Sequence, residues 1–371
     1  MILEKLHVVN FRSYSEREVS FSPGTTLVIG PNTAGKTNLL EAVYLLSSGR
    51  SLSASVESDL IHLGADWARV GGVLLADGRD NRLADAGLGV DLSVADEGGK
   101  NDATELEVFI ARGENGRSTK QFKVNGVKKG LGAFQGVFRV VVFSPEYLRL
   151  VSGSPSRRRR YLDRVLSSLD PFYFRALDEY KKVLRNRNQL LWEIRERGAA
   201  RRNLEFWDDK LFALGEEILA KRTGLFSDLG SRLATLGLGL ELSYRPSVLE
   251  RVFYGERLPA EIARATTLWG PHRDDFLFLR AGEERNLATF GSRGEQREAV
   301  FALCLAELDV VTNRVGERPA LLLDDIFSEL DEAHRQKVLE VLPKQQAIIT
   351  SAEPELLNSE LMGSAGVIRL D

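Results

Sequence analysis

The chain has 371 residues, 43% hydrophobic and 28% charged, with a formal net charge of −3, which fits a globular protein of one large domain or two. No apolar run approaches the roughly 20 residues of a membrane span, and MILEKLHVVNFRSY lacks the sections of a signal peptide. A single cysteine, Cys304, leaves no internal disulfide framework and points to a reducing cytoplasm, and the four histidines show no metal-ligand spacing with it.

Residues 2–9 and 19–29 read as strands from their Val, Ile and Leu content, with NFRSYSERE turning between them. The second strand runs into GPNTAGKT, after which Leu39, Leu40, Val43 and Leu46 recur at helical spacing over 38–47. Residues 76–102, rich in Gly and Asp, read as exposed loop and weak strand. LEVFIARGENGRSTKQFKVNGV predicts a hairpin turned at GENG, and FRVVVFSPEYL a buried strand with a Ser-Pro helix start. From about 155 to 265 long, charge-laced amphipathic patterns predict a helical lobe. Within it, residues 156–202 hold 14 Lys/Arg against 6 Asp/Glu. Strand and loop character returns at 266–290. A helix over about 295–312, a buried strand in RPALLLDD, a further helix, the strand QQAIIT and a short tail complete the chain.

Gly30-Pro31-Asn32-Thr33-Ala34-Gly35-Lys36-Thr37 fits G-x-x-x-x-G-K-[ST], with the strand before and helix after that a phosphate-binding loop requires. Loop N–H groups and the positive end of the following helix, headed by Asn38, would cradle phosphate oxygens. Lys36 would neutralise the β- and γ-phosphates of ATP and Thr37 would ligate Mg2+; a chance Gly-Lys turn is the alternative. Leu321-Leu322-Leu323-Asp324-Asp325 ends a strand apolar enough to be buried on both faces. Two charges there are costly unless they face a ligand or ion. Asp324 is placed to hold Mg2+ through water and Asp325 to orient or deprotonate the attacking water; a helix-capping pair is the alternative.

Gly291-Ser292-Arg293-Gly294-Glu295-Gln296-Arg297 heads an apolar helix and suits an N-terminus that contacts an anion, or simply a helix cap. It precedes the aspartate strand by one helix, where ATPases of the ABC class hold the signature loop that meets the γ-phosphate bound to a second copy. Ser328-Glu329-Leu330-Asp331 is similar to the D-loop of the same interface.

NFRSY, GPNTAGKTNLLEA, GRS at 49–51, FSPEYLRLVSGSPSRRRRYLD at 143–163, GPHRDD at 270–275, SRGEQR at 292–297 and LLLDDIFSELD at 321–331 follow one another over nearly the whole chain. In content and order they resemble the RecF family, bacterial recombination mediators related to the structural-maintenance-of-chromosomes ATPases. The resemblance implies an α/β fold: an ABC-type P-loop ATPase head with a mixed β-sheet lobe over 1–145 and 266–371, and an inserted helical lobe over 146–265. It implies an ATP-dependent homodimer, with Lys36 of one protomer and Ser292 and Gly294 of the other at each γ-phosphate, and with Gln296 also among the nucleotide-binding residues. Arg12 of NFRSY resembles the N-terminal arginine that approaches the phosphates in this class. Asp, where transporters carry a catalytic Glu, implies slow, DNA-dependent ATP hydrolysis that releases the dimer.

The partners implied are duplex DNA at single-strand/double-strand junctions or gaps, RecR, and RecO and RecA downstream, in the cytoplasm and with no membrane. Arg157, Arg158, Arg159, Arg160, Lys181, Lys182, Arg185 and Arg187 are candidate contacts to DNA phosphates; a solvated helical face, or packing, is the alternative. Asp163 is expected to pair with one of those arginines, and His272 and Arg273 to act either near the nucleotide or at the lobe junction. Two departures stand out: no basic residue follows GRS, and Thr350 and Ser351 occupy the place of a histidine switch. An ATP-binding scaffold with incidental hydrolysis is the competing reading. A transporter subunit fits poorly with the 288 positions from Lys36 to Asp324, room for a large helical insertion.

Overall fold

The computed structural model describes residues 1–52, 54, 56–76, 103–113, 118–329, 331–353, 355 and 359–371, with the backbone alone at 329, 333, 359 and 360. The expected loop at 76–102 and the GENG turn therefore lie almost wholly outside the described residues. The chain divides into two compact units, Met1–Glu146 with Glu307–Asp371, and Tyr147–Ala306.

The first unit opens with β1 (Ile2–Phe11), β2 (Tyr14–Ser20) and β3 (Thr25–Ile29), followed by α1 (Lys36–Ser48). It continues through β4 (Trp67–Leu75), β5 (Thr104–Arg112), β6 (Ser118–Val124), β7 (Val127–Lys129), α2 (Leu131–Phe134) and β8 (Val140–Phe143). β2-β1-β4-β5-β6-β7 form one antiparallel sheet. Burial alternates along β4 and β5, as it does when one sheet face packs and the other meets water.

The second unit contains α3 (Leu148–Ser152), α4 (Pro155–Leu169), α5 (Pro171–Arg197), α6 (Glu205–Leu236), β9 (Leu240–Arg245) and α7 (Tyr254–Arg264). β10 (Asp275–Arg280), β11 (Arg285–Asn286) and α8 (Leu287–Phe290) follow, and the division falls within α9 (Arg293–Val315). The long helices α5 and α6 pack on each other, and Asp170 caps α5 by accepting from Phe172 N at 2.9 Å and Tyr173 N at 3.2 Å. The boundary expected at 265/266 is displaced to 306/307. The reason is β9, a strand inside the supposedly all-helical stretch: it pairs antiparallel with β10 and draws 266–290 into this unit.

The first unit resumes with β12 (Ala320–Asp324), α10 (Ile326–Glu329), α11 (Glu332–Val341), β13 (Ala347–Ser351), α12 (Ser359–Ser364) and β14 (Gly366–Arg369). β14-β3-β13-β12-β8 make a parallel sheet. β8, β12 and β13 are buried at every residue, which explains their continuous apolar sequences. α1 contacts strands of both sheets and is buried almost all round, so its apolar residues do not form a single stripe. The short tail supplies β14, beside β3.

Candidate functional site

The site in the first unit starts where β3 ends. A Cβ on Gly30 would lie 2.4 Å from the Leu370 carbonyl oxygen, a backbone atom with no room to yield. Gly35 has φ 89°, in the left-handed region, and a Cβ there would sit 2.9 Å from both Ser13 Oγ and the Tyr14 hydroxyl. The loop can therefore turn onto the first residue of α1 and present N–H groups at that helix's positive end.

Lys36 is only 7% exposed, and its Nζ donates to the carbonyls of Gly30 at 2.8 Å and Pro31 at 2.9 Å. Thr37 Oγ1 donates to Asp324 Oδ1 at 3.1 Å and lies 3.2 Å from Oδ2. Thr350, on neighbouring β13, donates to Asp324 Oδ1 at 2.7 Å and accepts from Asp325 N at 3.0 Å. Thr350, one of the two hydroxyls at the place of a histidine switch, thus orients Asp324. Ser351 Oγ turns away to the backbone of Glu353. Burial raises the Asp324 pKa; the hydroxyls of Thr350 and Thr37 oppose it, Asp325 adds to it and Lys36 subtracts. Thr37 and Asp324 bring hard oxygen donors together at the carboxyl end of the parallel strands, a donor set that fits Mg2+ and a position where open α/β sheets bind ligands.

Asp325 follows at φ 51° and is half-buried, and its carbonyl accepts from Ser328 Oγ at 2.8 Å as α10 begins. Asp331 caps α11 through His334 N at 3.0 Å. Within 328–331, position 330 lies outside the described residues.

The turn between β1 and β2 packs on the phosphate loop. Tyr14 OH donates to Gly35 O at 3.1 Å, and Asn38 Nδ2 donates to Ser13 Oγ at 2.9 Å. Arg12, expected at the phosphates, pairs with Glu41 of α1. Its Nε donates to Oε2 at 2.7 Å and its Nη2 to Oε1 at 3.1 Å. Glu41 went unread in the sequence because it falls in the apolar pattern LLEAVYLL, where helical spacing predicts only burial.

In the second unit Ser292 and Glu295 form a capping box at the head of α9: Ser292 N donates to Glu295 Oε2 at 2.8 Å, and Glu295 N to Ser292 Oγ at 3.2 Å. Arg285 donates to Glu295 Oε1 at 2.6 Å and, with Ser292, holds that carboxyl at about 2. Gln296 donates to Leu287 O at 2.9 Å, across the base of the same loop. Ser292, Arg293 and Gly294 remain exposed. The cap reading is therefore realised, and the residues expected to meet a second copy face outward.

The basic run divides. Arg158 is buried and forms a fork on Asp275 at 2.6 and 3.0 Å, while its Nη1 donates to the carbonyls of Leu150 and Gly153. Arg187 is buried on Asp208 and Glu261, each at 2.6 Å, and on Thr267 Oγ1 at 2.7 Å. Both are corrected here from DNA contact to internal pairing. Arg159 donates to Asp274 O at 2.8 Å. Lys181 pairs with Asp163 at 3.6 Å and Lys182 with Asp178 at 2.7 Å. Arg157 is half-buried, and Arg160 and Arg185 are exposed. Asp163 takes Arg222 as its arginine, at 2.8 Å, rather than a member of 157–160. In GPHRDD, His272 lies between Tyr180 OH at 2.8 Å and Thr267 O at 3.1 Å, and Arg273 Nη2 donates to Thr267 O at 3.3 Å.

A glycine-rich loop between a buried parallel strand and a buried helix, with Thr37 hydrogen-bonded to an aspartate at the end of a second parallel strand, defines an ABC-type P-loop ATPase head. Residues 2–367 match the model of the RecF/RecN/SMC N-terminal domain family. The chain is 36% identical to the DNA replication and repair protein RecF of Moorella thermoacetica, over 97% of this chain and 92% of that protein. It is 37% identical to the protein of that description from Herpetosiphon aurantiacus, over 95% and 94%. A solved structure of the recombination mediator protein RecF with ATP, in the RecFOR pathway, superposes with a TM-score of 0.81 at 32% identity, covering 96% of this chain and 92% of that one. The chain belongs to the RecF family.

Proposed function

We propose that the chain is an ATP-dependent, DNA-binding recombination mediator in which two copies close around ATP. The loop N–H groups and Lys36 hold the triphosphate. Thr37 and Asp324 would hold Mg2+, which on binding neutralises charge on the β- and γ-phosphates. Asp325 orients the attacking water and accepts its proton, a weak base consistent with slow turnover. Ser292 and Gly294 of the second copy meet the γ-phosphate, so its loss removes the ligand that the two copies share and the dimer separates.

The observation that carries this reading is the hydrogen bond of Thr37 to Asp324 across 287 positions. Exposed Arg160, Lys182 and Arg185 would serve DNA phosphates at single-strand/double-strand junctions, with RecR as partner and RecO and RecA downstream, in the cytoplasm. Among the described residues no helix is long and apolar enough to cross a membrane.

Sedimentation with ATP, with ADP and without nucleotide tests it. The wild type should self-associate with ATP alone, and Ser292→Arg should stay monomeric while still binding ATP. Equal association of both proteins would remove the shared-nucleotide dimer.

A further inference from the structure

Thr350 stands opposite Asp324 in the register of the parallel strands β12 and β13, and it is fully buried. Its single hydroxyl serves both members of the aspartate pair. It donates to Asp324 Oδ1 at 2.7 Å and accepts from the backbone N–H of Asp325 at 3.0 Å. The β12–β13 ladder ends at Asp324, and Asp325 leaves it at φ 51°, in the left-handed region. A residue other than glycine keeps that conformation only where its surroundings hold it. Asp324 also accepts from Thr37 Oγ1 at 3.1 Å, so α1 and β13 orient this carboxylate together.

We propose that Thr350 is a positioning residue for ATP hydrolysis, one hydroxyl setting Asp324 for Mg2+ and Asp325 for the attacking water. The proposal rests on those two roles of the aspartates. Without the hydroxyl, Asp324 loses a donor that fixes its side-chain torsion, and the Asp325 N–H loses its acceptor. The backbone at 325 is then free to turn, which displaces the Asp325 carboxyl from the geometry that the chemical step needs. The loop N–H groups that hold the nucleotide itself are untouched by either change. A fault at Thr350 therefore shows in metal use and in turnover, while nucleotide binding without metal is kept. Both bonds use the oxygen and neither uses the methyl group. Serine should accordingly replace threonine, and valine, of nearly the same shape, should not.

The test compares wild type, Thr350→Val and Thr350→Ser, with Asp325→Asn as control. Kd for a fluorescent ADP analogue is measured with Mg2+ and with EDTA, kcat and KM for ATP hydrolysis over a range of Mg2+, and a melting curve for each protein. Thr350→Val should lower kcat by at least about tenfold while KM and the Kd in EDTA stay within about twofold. The Mg2+ concentration giving half-maximal hydrolysis should rise by about tenfold, as expected when a group that orients a metal-binding carboxylate is removed. The fall in kcat should persist at saturating Mg2+, because Asp325 remains displaced. Thr350→Ser should match the wild type in every measurement. Thr350→Ala carries the test if Thr350→Val does not fold. Wild-type kcat in Thr350→Val, equal impairment of Thr350→Ser, or full recovery of kcat at saturating Mg2+ would overturn the proposal. Full hydrolysis in Asp325→Asn, or a wild type indifferent to Mg2+, would instead overturn the roles of the aspartates on which it rests.

Discussion

Arg222 donates to Asp274 Oδ2 at 2.6 Å inside the second unit, with neither side chain more than 2% exposed. Arg222 also donates to Asp163 at 2.8 Å and to Pro271 O at 2.7 Å. Asp274 accepts in addition from Tyr244 OH at 2.6 Å and Ser247 N at 2.7 Å. Desolvation of such charges is offset only when nearly every donor and lone pair is met, as here. The motif GPHRDD thus ties α6, β9 and β10 together. Arg222→Ala should destabilise the protein by about 3–5 kcal/mol, because it leaves the buried Asp274 without its cation and Asp163 with Lys181 alone. The shift of the urea midpoint reads this out, and a loss under about 1 kcal/mol would show that the network relaxes freely.

His272 gives the same unit an acid sensitivity. Burial lowers its pKa from 6.5 to about 4, with Thr267 O opposing and neighbouring arginines assisting. A depressed histidine is neutral in the fold while the unfolded chain takes up a proton. Stability is therefore full above pH 6.5 and declines as pH falls toward 4, by about 3 kcal/mol at most. Urea titrations at pH 7.5 and 4.5 should show this decline, and His272→Gln should flatten it. An unchanged slope in the variant would assign the acid sensitivity to other groups.

The phosphate loop was legible in the sequence because its chemistry needs contiguous residue types, and Asp324 because a charge pair ending an apolar strand has few other uses. The buried arginines were legible in principle. Arg158 shares a helical stripe with Tyr161, Leu162, Val165 and Leu166; Arg187 lies in line with Tyr180, Val183 and Leu191, and Arg222 with Ile218, Leu225 and Phe226. An arginine on an apolar stripe is buried and needs partners, a signal outweighed by reading the basic run as a single surface. Their partners were not legible, since Asp275 pairs with Arg158 across 117 positions. β9 was hidden by its shortness and by the long helix before it. No local pattern could tell that Arg12 is held by Glu41, because both residue types are ordinary where they stand.

The division of the basic run makes opposite expectations for adjacent residues. Arg160→Ala with Arg185→Ala removes two exposed charges and should lower duplex-DNA affinity, reducing the slope of log affinity against log salt by about 2, with little change in melting temperature. Arg158→Ala leaves Asp275 without its fork and should lower the melting temperature by several degrees. Fluorescence anisotropy at several salt concentrations, beside thermal melts, separates the two. An Arg158→Ala protein that melts like the wild type yet fails to bind DNA would return Arg158 to the DNA surface.

Asp324 carries the same logic into the ATPase site, with a different sign. Its pKa is raised, chiefly by burial, so at neutral pH the fold bears a cost for the ionised carboxylate that the unfolded chain does not. The corresponding stability is full below the unfolded pKa of 3.8 and is lost as pH rises through the folded value. Asp324→Asn keeps an acceptor for Thr37 and Thr350 but discards the charge. In the absence of nucleotide at pH 7 its melting temperature should rise by about 2–4 °C, while ATP hydrolysis falls by at least about a hundredfold. At pH 3.5 the two proteins should melt together, because the wild-type carboxyl is then protonated. A variant that melts lower than wild type at pH 7 would mean that Lys36 and the two hydroxyls already compensate the carboxylate fully, and the site would hold no strain for a cation to relieve.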